Sequence, residues 1–274
     1  MEKLRGYFAT FTIALGLACI IIGIYFLRKR KNGRLARRYC QYFFPANGLK
    51  MEKVGDYDLD AQLIVVNHQS ASDIICLEGD HPLNICWVAK KQLGEIPYYG
   101  YALKLPEMIL IDREDKKGII QLLKEAKEKL SQKRPIVIFP EGTRGPGKRA
   151  FLPFKPGAKI LAEKLNLRVQ PIVFVNTRKV YDSNPISVKS NVARVVCMPA
   201  FTPDFNTNWY EKLEKDMFET YCKHYDELNP NEAINDSTSP SHIESLATAT
   251  SHSGEESANN TTENLQVSQT RHNN

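Results

Sequence analysis

The sequence has no C-x-x-C pair, although it contains six cysteines in 274 residues. They are widely scattered in apolar surroundings, which favours ordinary packing in a reducing compartment over a disulfide framework. Structural zinc sites need clustered Cys and His ligands, so we expect no metal site. The chain also lacks a G-x-S-x-G elbow, which disfavours a serine hydrolase.

Residues 229–274 contain no Phe, Trp, Tyr, Cys or Met and are rich in Ser, Thr, Asn and Glu. Such a stretch cannot bury enough apolar surface to offset the conformational entropy lost on ordering. We therefore expect residues 229–274 to form a disordered tail. A regulatory or docking role is the functional alternative.

Positive charge is concentrated before residue 229. The whole chain has 37 Lys and Arg against 31 Asp and Glu, whereas residues 229–274 have one basic and six acidic residues. A basic surface suits an anionic partner, which is a membrane, a phosphorylated substrate or nucleic acid. Because no zinc finger or aromatic RNA-binding pattern is present, nucleic acid is the weakest of the three.

Residues 6–27 form an uncharged and mostly apolar run. As a helix this run is about 33 Å long, enough to cross a hydrocarbon core of about 30 Å, and it exceeds the apolar core of a signal peptide. Seven basic residues follow by position 38 and place the C-terminal side in the cytoplasm. A re-entrant or in-plane helix is the alternative, and in either case the basic cluster should lie among anionic headgroups. Residues 1–38 are thus predicted to be a membrane anchor with a basic flank.

Between residues 39 and 228 short apolar runs alternate with amphipathic segments. The pattern predicts strands at 49–54, 63–66, 85–88, 108–111, 136–139, 169–175 and 193–198, and helices at 116–131, 157–165 and 209–228. This alternation predicts an α/β domain over residues 39–228, with a mixed, mostly parallel central sheet flanked by helices.

The predicted strand 63–66 runs into Asn67-His68-Gln69-Ser70-Ala71-Ser72-Asp73. On a straight helix His68 and Asp73 would lie about 140° apart, so they touch only if His68 lies in the turn and Asp73 in the first turn of a following helix. Ser70 or Ser72 suits the N-cap of that helix. Asp73 would then orient the imidazole and leave its other nitrogen free as a base. The alternative is a His and an Asp that cap the turn for structural reasons.

Polar residues also follow two other predicted strands. Strand 108–111 leads into Asp112-Arg113, and strand 136–139 leads into Pro140-Glu141-Gly142-Thr143-Arg144. Ligands collect beyond the carboxyl ends of strands in open α/β sheets, and an Arg held there suits recognition of a phosphate. A surface salt bridge is the alternative for each Arg.

The sequence resembles the glycerolipid acyltransferases at four blocks, in the order that the family has them. Residues 67–73 fit the N-H-x-x-x-x-D block, Ile111-Asp112-Arg113 looks like the second, Phe139-Pro140-Glu141-Gly142-Thr143-Arg144 matches the third and Gln170-Pro171-Ile172-Val173 resembles the fourth. The resemblance covers about residues 49–175. It is strongest to the bacterial members that acylate lysophosphatidate.

The resemblance implies transfer of a fatty acyl group from acyl-CoA or acyl carrier protein to the hydroxyl of lysophosphatidate, giving phosphatidate for phospholipid synthesis. His68 would be the general base and Asp73 its orienting partner. The substrate is itself the nucleophile, so Ser70 and Ser72 are expected to be caps. Backbone N–H groups at the start of the helix after His68 are our prediction for the oxyanion donors.

For the acceptor, the family implies phosphate binding by Arg113 and Arg144, in a site shaped by Glu141, Gly142 and Thr143. An ionised Glu141 only accepts hydrogen bonds, so it would bond a glycerol hydroxyl or hold an Arg in place. Lys155 is a further phosphate candidate. The loop 145–153 is expected either to dip into the headgroups or to lie solvated on the surface.

We expect no cofactor, because the acyl thioester is a co-substrate. The expected partners are membrane lipids, lysophosphatidate and the acyl donor, at the cytoplasmic side of the inner membrane. Alternative acceptors are glycerol 3-phosphate, another lysophospholipid or a lyso-aminolipid. A catalytically silent membrane adaptor is the alternative from a different class.

Overall fold

The computed structural model describes residues 1–27, 31–112 and 118–233. The chain divides into two units, Met1–Leu228 and Asn229–Asn274. The first residues of the predicted disordered tail instead form a short helix, Pro230–Ala233. From position 234 onward the tail lies outside the described residues, so its disorder there stays a prediction.

The described strands lie within two residues of the predicted bounds, with one unpredicted hairpin, β7–β8. They are β1 (Lys50–Val54), β2 (Leu63–Val66), β3 (Cys86–Lys90), β4 (Ile109–Ile111), β5 (Ile136–Ile138), β6 (Val169–Val175), β7 (Asp182–Ser183), β8 (Ile186–Ser187) and β9 (Val192–Cys197).

The described helices include all three that the periodicity predicts, although residues 116 and 117 of the first lie outside the described residues. They are α1 (Glu2–Leu27), α2 (Arg34–Arg37), α3 (Phe43–Ala46), α4 (Ala71–Asp80), α5 (Lys91–Glu95), α6 (Tyr101–Lys104), α7 (Gly118–Ser131), α8 (Gly157–Leu165), α9 (Thr177–Val180), α10 (Trp209–Leu228) and α11 (Pro230–Ala233).

Seven strands form the central sheet in the order β1-β9-β6-β2-β5-β3-β4. The five strands from β6 to β4 run parallel, and β9, with β1 beside it, runs the other way. The predicted mixed, mostly parallel α/β fold is therefore confirmed. Every residue of β2, β5 and β6 is buried, as expected for parallel strands covered on both faces. Since β5, β2 and β6 are parallel neighbours, their carboxyl ends lie at the same edge of the sheet.

Helix α1 is long and apolar enough to cross a membrane, but both of its ends are held against the rest of the fold. At its start the carbonyl of Glu2 accepts the Val188 N–H at 3.2 Å, and Arg5 donates to the Asn191 side chain at 2.6 Å. At its end Gly23 packs closely against Ala36, so that a Cβ added at this glycine would lie 2.9 Å from the Ala36 Cβ. The helix therefore lies alongside the domain, and whether it spans a membrane or lies in its plane stays a prediction.

The predicted basic flank is partly wrong. Arg34 and Arg37 are only 6% and 3% exposed, and both pair with Glu78 of α4, at 3.4 and 2.6 Å. Arg34 also donates to backbone carbonyls at the end of α4, which have no partner within the helix. These two arginines therefore attach the α1–α2 segment to the domain and do not face headgroups. Arg38 is exposed, and residues 28–30 lie outside the described residues.

Candidate active site

The turn after β2 begins with a buried asparagine that continues the pairing of β2 with β6. The side-chain amide of Asn67 donates to the Phe174 carbonyl at 2.9 Å, and its oxygen accepts the Phe174 N–H at 2.6 Å. Because this side chain replaces a backbone pair, the main chain is free to turn away immediately. His68 therefore stands at the carboxyl end of a central strand.

The predicted contact between His68 and Asp73 is present. Nδ1 of His68 lies 2.9 Å from Oδ2 of Asp73, which also accepts the N–H groups of Gln69 and Ser70 at 2.7 and 2.8 Å. Because an ionised carboxylate only accepts hydrogen bonds, the proton of the neutral imidazole lies on Nδ1, and Nε2 carries the lone pair. The Asp73 side chain is fully buried and that of His68 is 14% exposed. The pair thus presents one basic nitrogen to the site.

Ser70 caps α4, as predicted. Its Oγ accepts the Ser72 N–H at 3.2 Å and donates to the Tyr181 carbonyl at 2.5 Å, while the Ser72 hydroxyl donates to the Thr177 carbonyl. Both serines are therefore structural donors. The N–H groups of Gln69, Ser70 and Ser72 are already bonded within the capped turn, and oxyanion binding at the start of α4 stays a prediction.

An apolar cavity of about 200 Å³ lies behind the histidine. The ring of Phe139 stacks on His68 with centroids 3.8 Å apart, and its other neighbour is Trp87 at 5.2 Å. Phe139 lines the cavity together with residues of β3, β4 and β5, of α7 and α8, and of the segments that lead into these two helices; among the described residues these are Val88, Ile111, Asp112, Gly118, Ile119, Leu122, Ile138, Pro140, Gly142, Lys155, Pro156, Gly157 and Ala158. The ring of Phe139 thus lies between this cavity and the imidazole of His68.

A polar pocket of about 320 Å³ lies on the other side of the turn and contains Thr143 and Arg144. Arg144 is exposed and donates to the Ser183 hydroxyl at 3.0 Å. Arg178 lines the same pocket, held by the Gly145 carbonyl at 2.8 Å and by Asp182 at 2.9 Å. Sequence reasoning missed Arg178 and Ser183. The position of Arg178, just beyond the end of β6, is the same signal that identified Arg144.

Glu141 is buried next to the backbone of His68 and lines neither the apolar cavity nor the polar pocket. Its carboxylate accepts the His68 N–H at 2.8 Å and the Leu152 N–H at 2.9 Å, and the residue is 2% exposed. Burial raises the pKa of Glu141 to about 7, against the lowering effect of these two donors, and the charge of Asp73 adds to the rise. Both oxygens accept from the backbone, and among the described residues neither has an Arg as its hydrogen-bond partner; the contact with a glycerol hydroxyl stays a prediction.

The remaining predicted site residues are divided. Gly142 has a φ of 73° and lines the apolar cavity. Lys155 is exposed and also lines that cavity, so the structure does not bring it into the polar pocket with Arg144. Arg113 lies outside the described residues. The roles of these residues in binding stay predictions.

The loop 145–153 has exposed residues, among them Pro146, Lys148 and Pro153, but it is also packed against the domain. Phe151 is buried against Phe218 and Tyr221 of α10, with ring centroids 5.5 and 5.1 Å away. The Tyr221 hydroxyl also donates to the Lys148 carbonyl at 2.9 Å. Its one phenylalanine therefore anchors the loop to the domain.

The family model described as Acyltransferase matches residues 53–175. The chain is 56% identical to the 1-acyl-sn-glycerol-3-phosphate acyltransferase of Helicobacter pylori over 83% of this chain and 97% of that protein. A protein of the same name from Saccharomyces cerevisiae is 31% identical over 70% of this chain and 65% of that protein.

The crystal structure of the 1-acyl-sn-glycerophosphate acyltransferase PlsC from Thermotoga maritima has the same fold. The TM-score is 0.61 at 21% sequence identity, and the match covers 84% of this chain and 99% of that one. Together with the site geometry and the 56% identity over nearly a whole relative, this shows that the chain belongs to the acyltransferase family, which includes the 1-acyl-sn-glycerol-3-phosphate acyltransferases.

Proposed function

We propose that this protein is an O-acyltransferase that transfers a fatty acyl group from a thioester to the sn-2 hydroxyl of 1-acyl-sn-glycerol 3-phosphate, making phosphatidate for phospholipid synthesis. The observation that carries the proposal is the buried Asp73 that holds His68 with a free Nε2. The relative from Helicobacter pylori, 56% identical, is named for this acceptor.

His68 supplies the base that an alcohol needs. Nε2 takes the proton of the acceptor hydroxyl as its oxygen attacks the thioester carbonyl, and Asp73 stabilises the imidazolium that forms. When the tetrahedral intermediate collapses, the C–S bond breaks and the imidazolium protonates the departing thiolate. The proton thus passes from the hydroxyl to the sulfur, and no acyl-enzyme forms.

The polar pocket suits the phosphate of the acceptor. Arg144 is exposed there beside the Ser183 hydroxyl, and Gln69 and Ser70 of the His68 turn line the same pocket. A guanidinium that is already oriented offers bidentate donors to a phosphate. Binding the phosphate in this pocket would bring the glycerol hydroxyl towards His68.

The apolar cavity suits an acyl chain. Phe139 separates the cavity from the imidazole by one ring thickness, at 3.8 Å. Apolar residues form most of the described lining, so a hydrocarbon chain gains the free energy of burial there while its carbonyl reaches the base. Lys155, exposed at the rim of this cavity, would then lie near the acyl donor, which we expect to be acyl-CoA or acyl carrier protein.

Helix α1 would lie in one leaflet of the membrane. Its outward face consists of exposed apolar residues, whereas a surface helix of a soluble protein exposes polar ones; among them are Phe8, Phe11, Leu15, Ile22 and Phe26. Leu35, Tyr39 and Tyr42 extend this exposed apolar surface. Because both ends of α1 are held to the domain, the positive-inside tendency no longer fixes its orientation. We assign the cytoplasmic side of the inner membrane because the acyl donors are cytoplasmic.

Acyl transfer to separate acceptors tests the proposal. Membranes from cells that express the full chain, and matched membranes with empty vector, receive a labelled acyl thioester with lysophosphatidate, glycerol 3-phosphate or lysophosphatidylethanolamine. We expect labelled phosphatidate from lysophosphatidate above the vector background. Product from one of the other acceptors alone would overturn the assigned acceptor, and no product from any would overturn the reaction.

The variant Arg144→Ala tests the phosphate pocket. We expect the KM for lysophosphatidate to rise about tenfold with little change in kcat, because the lost contact is made in the ground state and the transition state alike. A KM equal to that of the wild type would contradict phosphate binding by Arg144.

A further inference from the structure

We propose that Glu141 is a positioning residue, which holds the backbone of His68 and does not contact the acceptor. The inference deepens the proposed function, and it departs from the substrate-binding role that the sequence resemblance implies for this residue.

Both carboxylate oxygens of Glu141 are engaged by the backbone. Oε1 accepts the His68 N–H at 2.8 Å, and Oε2 accepts the Leu152 N–H at 2.9 Å. The carbonyl of His68 in turn accepts the Gly145 N–H at 2.7 Å. The peptide groups on both sides of the His68 Cα are therefore fixed by the segment that follows β5. Since a side chain follows its backbone, this pair of contacts sets the direction of the imidazole.

Glu141 has no open path to the acceptor. It is 2% exposed, and it is absent from the described residues that line the polar pocket, whereas its neighbours Thr143 and Arg144 are present there. A buried ionised carboxylate would also repel a phosphate that came close. The residue is thus placed to support the base from beneath.

The support is itself anchored by α10. Phe154 donates its N–H to the Glu214 side chain at 3.1 Å, and Phe151 packs against Tyr221. The segment that carries the Leu152 donor is therefore fixed on both sides of that residue. Glu141 joins this fixed segment to the turn that carries His68.

Replacing Glu141 by Gln separates the two roles. The amide keeps one acceptor oxygen, but its NH₂ group must face one of the two backbone N–H donors, and two donors repel. The His68 backbone would shift by a fraction of an ångström with little change in volume. Misplacement of a catalytic group by about 1 Å costs about a hundredfold in rate.

The experiment measures kcat and the KM for lysophosphatidate in Glu141→Gln, wild type and Arg144→Ala, each as the full chain in lipid nanodiscs. We expect Glu141→Gln to lower kcat by about tenfold to a hundredfold with an unchanged KM, and Arg144→Ala to raise KM. A raised KM with unchanged kcat in Glu141→Gln would make it a substrate contact and overturn the proposal. Unchanged values of both constants would overturn it too.

Two further measurements separate this role from folding and from the proposed function. With ¹⁵N-labelled histidine, the backbone amide signal of His68 should move in Glu141→Gln while those of His81 and His224 stay in place; an unmoved His68 signal would overturn the proposal, even if the wild type transferred no acyl group. The variant is also expected to melt no lower than wild type at pH 8, since an uncharged amide costs less to bury. A clearly lower melting temperature would assign Glu141 to general stability instead.

Discussion

The burial of Glu141 predicts a specific dependence of stability on pH. Burial raises the pKa of this carboxyl from 4.5 to about 7, whereas in the unfolded chain it is exposed to water and keeps its ordinary value. Between these two pH values the folded protein binds a proton that the unfolded chain has released. The stabilising contribution of this group is therefore fully present below pH 4.5 and is lost as the pH rises through 7.

The size of the effect follows from the two pKa values. A rise from 4.5 to about 7 corresponds to about 3 kcal/mol in the free energy of unfolding. Gln does not titrate, so the stability of Glu141→Gln lacks this term while every other titrating group is the same in both proteins. As the pH rises from 4.5 to 8, the free energy of unfolding of the variant should therefore increase by about 3 kcal/mol relative to that of the wild type. For a domain of this size this corresponds to about 10 °C in melting temperature.

The assay is a series of thermal melts of both full-length proteins in the same detergent, from pH 4.5 to pH 8. The expected result is a difference in melting temperature that grows with pH in favour of Glu141→Gln and levels off above pH 7. A difference that stays constant, or that grows in favour of the wild type, would contradict the raised pKa, because Glu141 would then ionise in the fold as easily as in water.

Three further substitutions test separate parts of the structure. Asp73→Asn should lower kcat by about a hundredfold or more, since a neutral amide does not stabilise the imidazolium as a carboxylate does; kcat near that of the wild type would contradict the dyad. Glu78→Ala leaves two buried guanidinium groups unpaired and should cost about 3–5 kcal/mol, which an unchanged thermal melt would disprove. Phe11→Lys with Leu15→Lys puts charges on the outward face of α1 and should reduce sedimentation with lipid vesicles, while transfer to lysophosphatidate in detergent micelles persists; full vesicle binding would show that this face does not enter lipid.

Much of the fold is predictable because its strands are short, apolar and β-branched. Residues 63–66 and 169–175 have the predicted bounds in the structure, and the capping role of Ser70 follows from local spacing alone. Such features depend on residues within one turn or one strand. The hairpin β7–β8 was missed because two-residue strands carry no periodicity.

The features that sequence reasoning missed or misread depend on partners far along the chain. A run of basic residues after an apolar helix is usually solvated, but Glu78, which pairs with Arg34 and Arg37, lies more than forty residues later. Glu141 meets His68 across 73 positions, and no periodic pattern links the two. In both cases a buried charge finds donors that only the folded chain brings close, and this is why local spacing does not predict these contacts.

Acyl transfer to lysophosphatidate by His68→Ala decides whether His68 is the general base. The wild type and His224→Ala are assayed beside it in the same nanodiscs at equal protein concentration. His224 is a matched control, since its ring also bonds a carboxylate, Glu227, at 3.2 Å but lies on α10. We expect kcat in His68→Ala to fall by about a thousandfold or more, with His224→Ala equal to wild type. Turnover by His68→Ala within tenfold of wild type would contradict the assignment of His68 as the base.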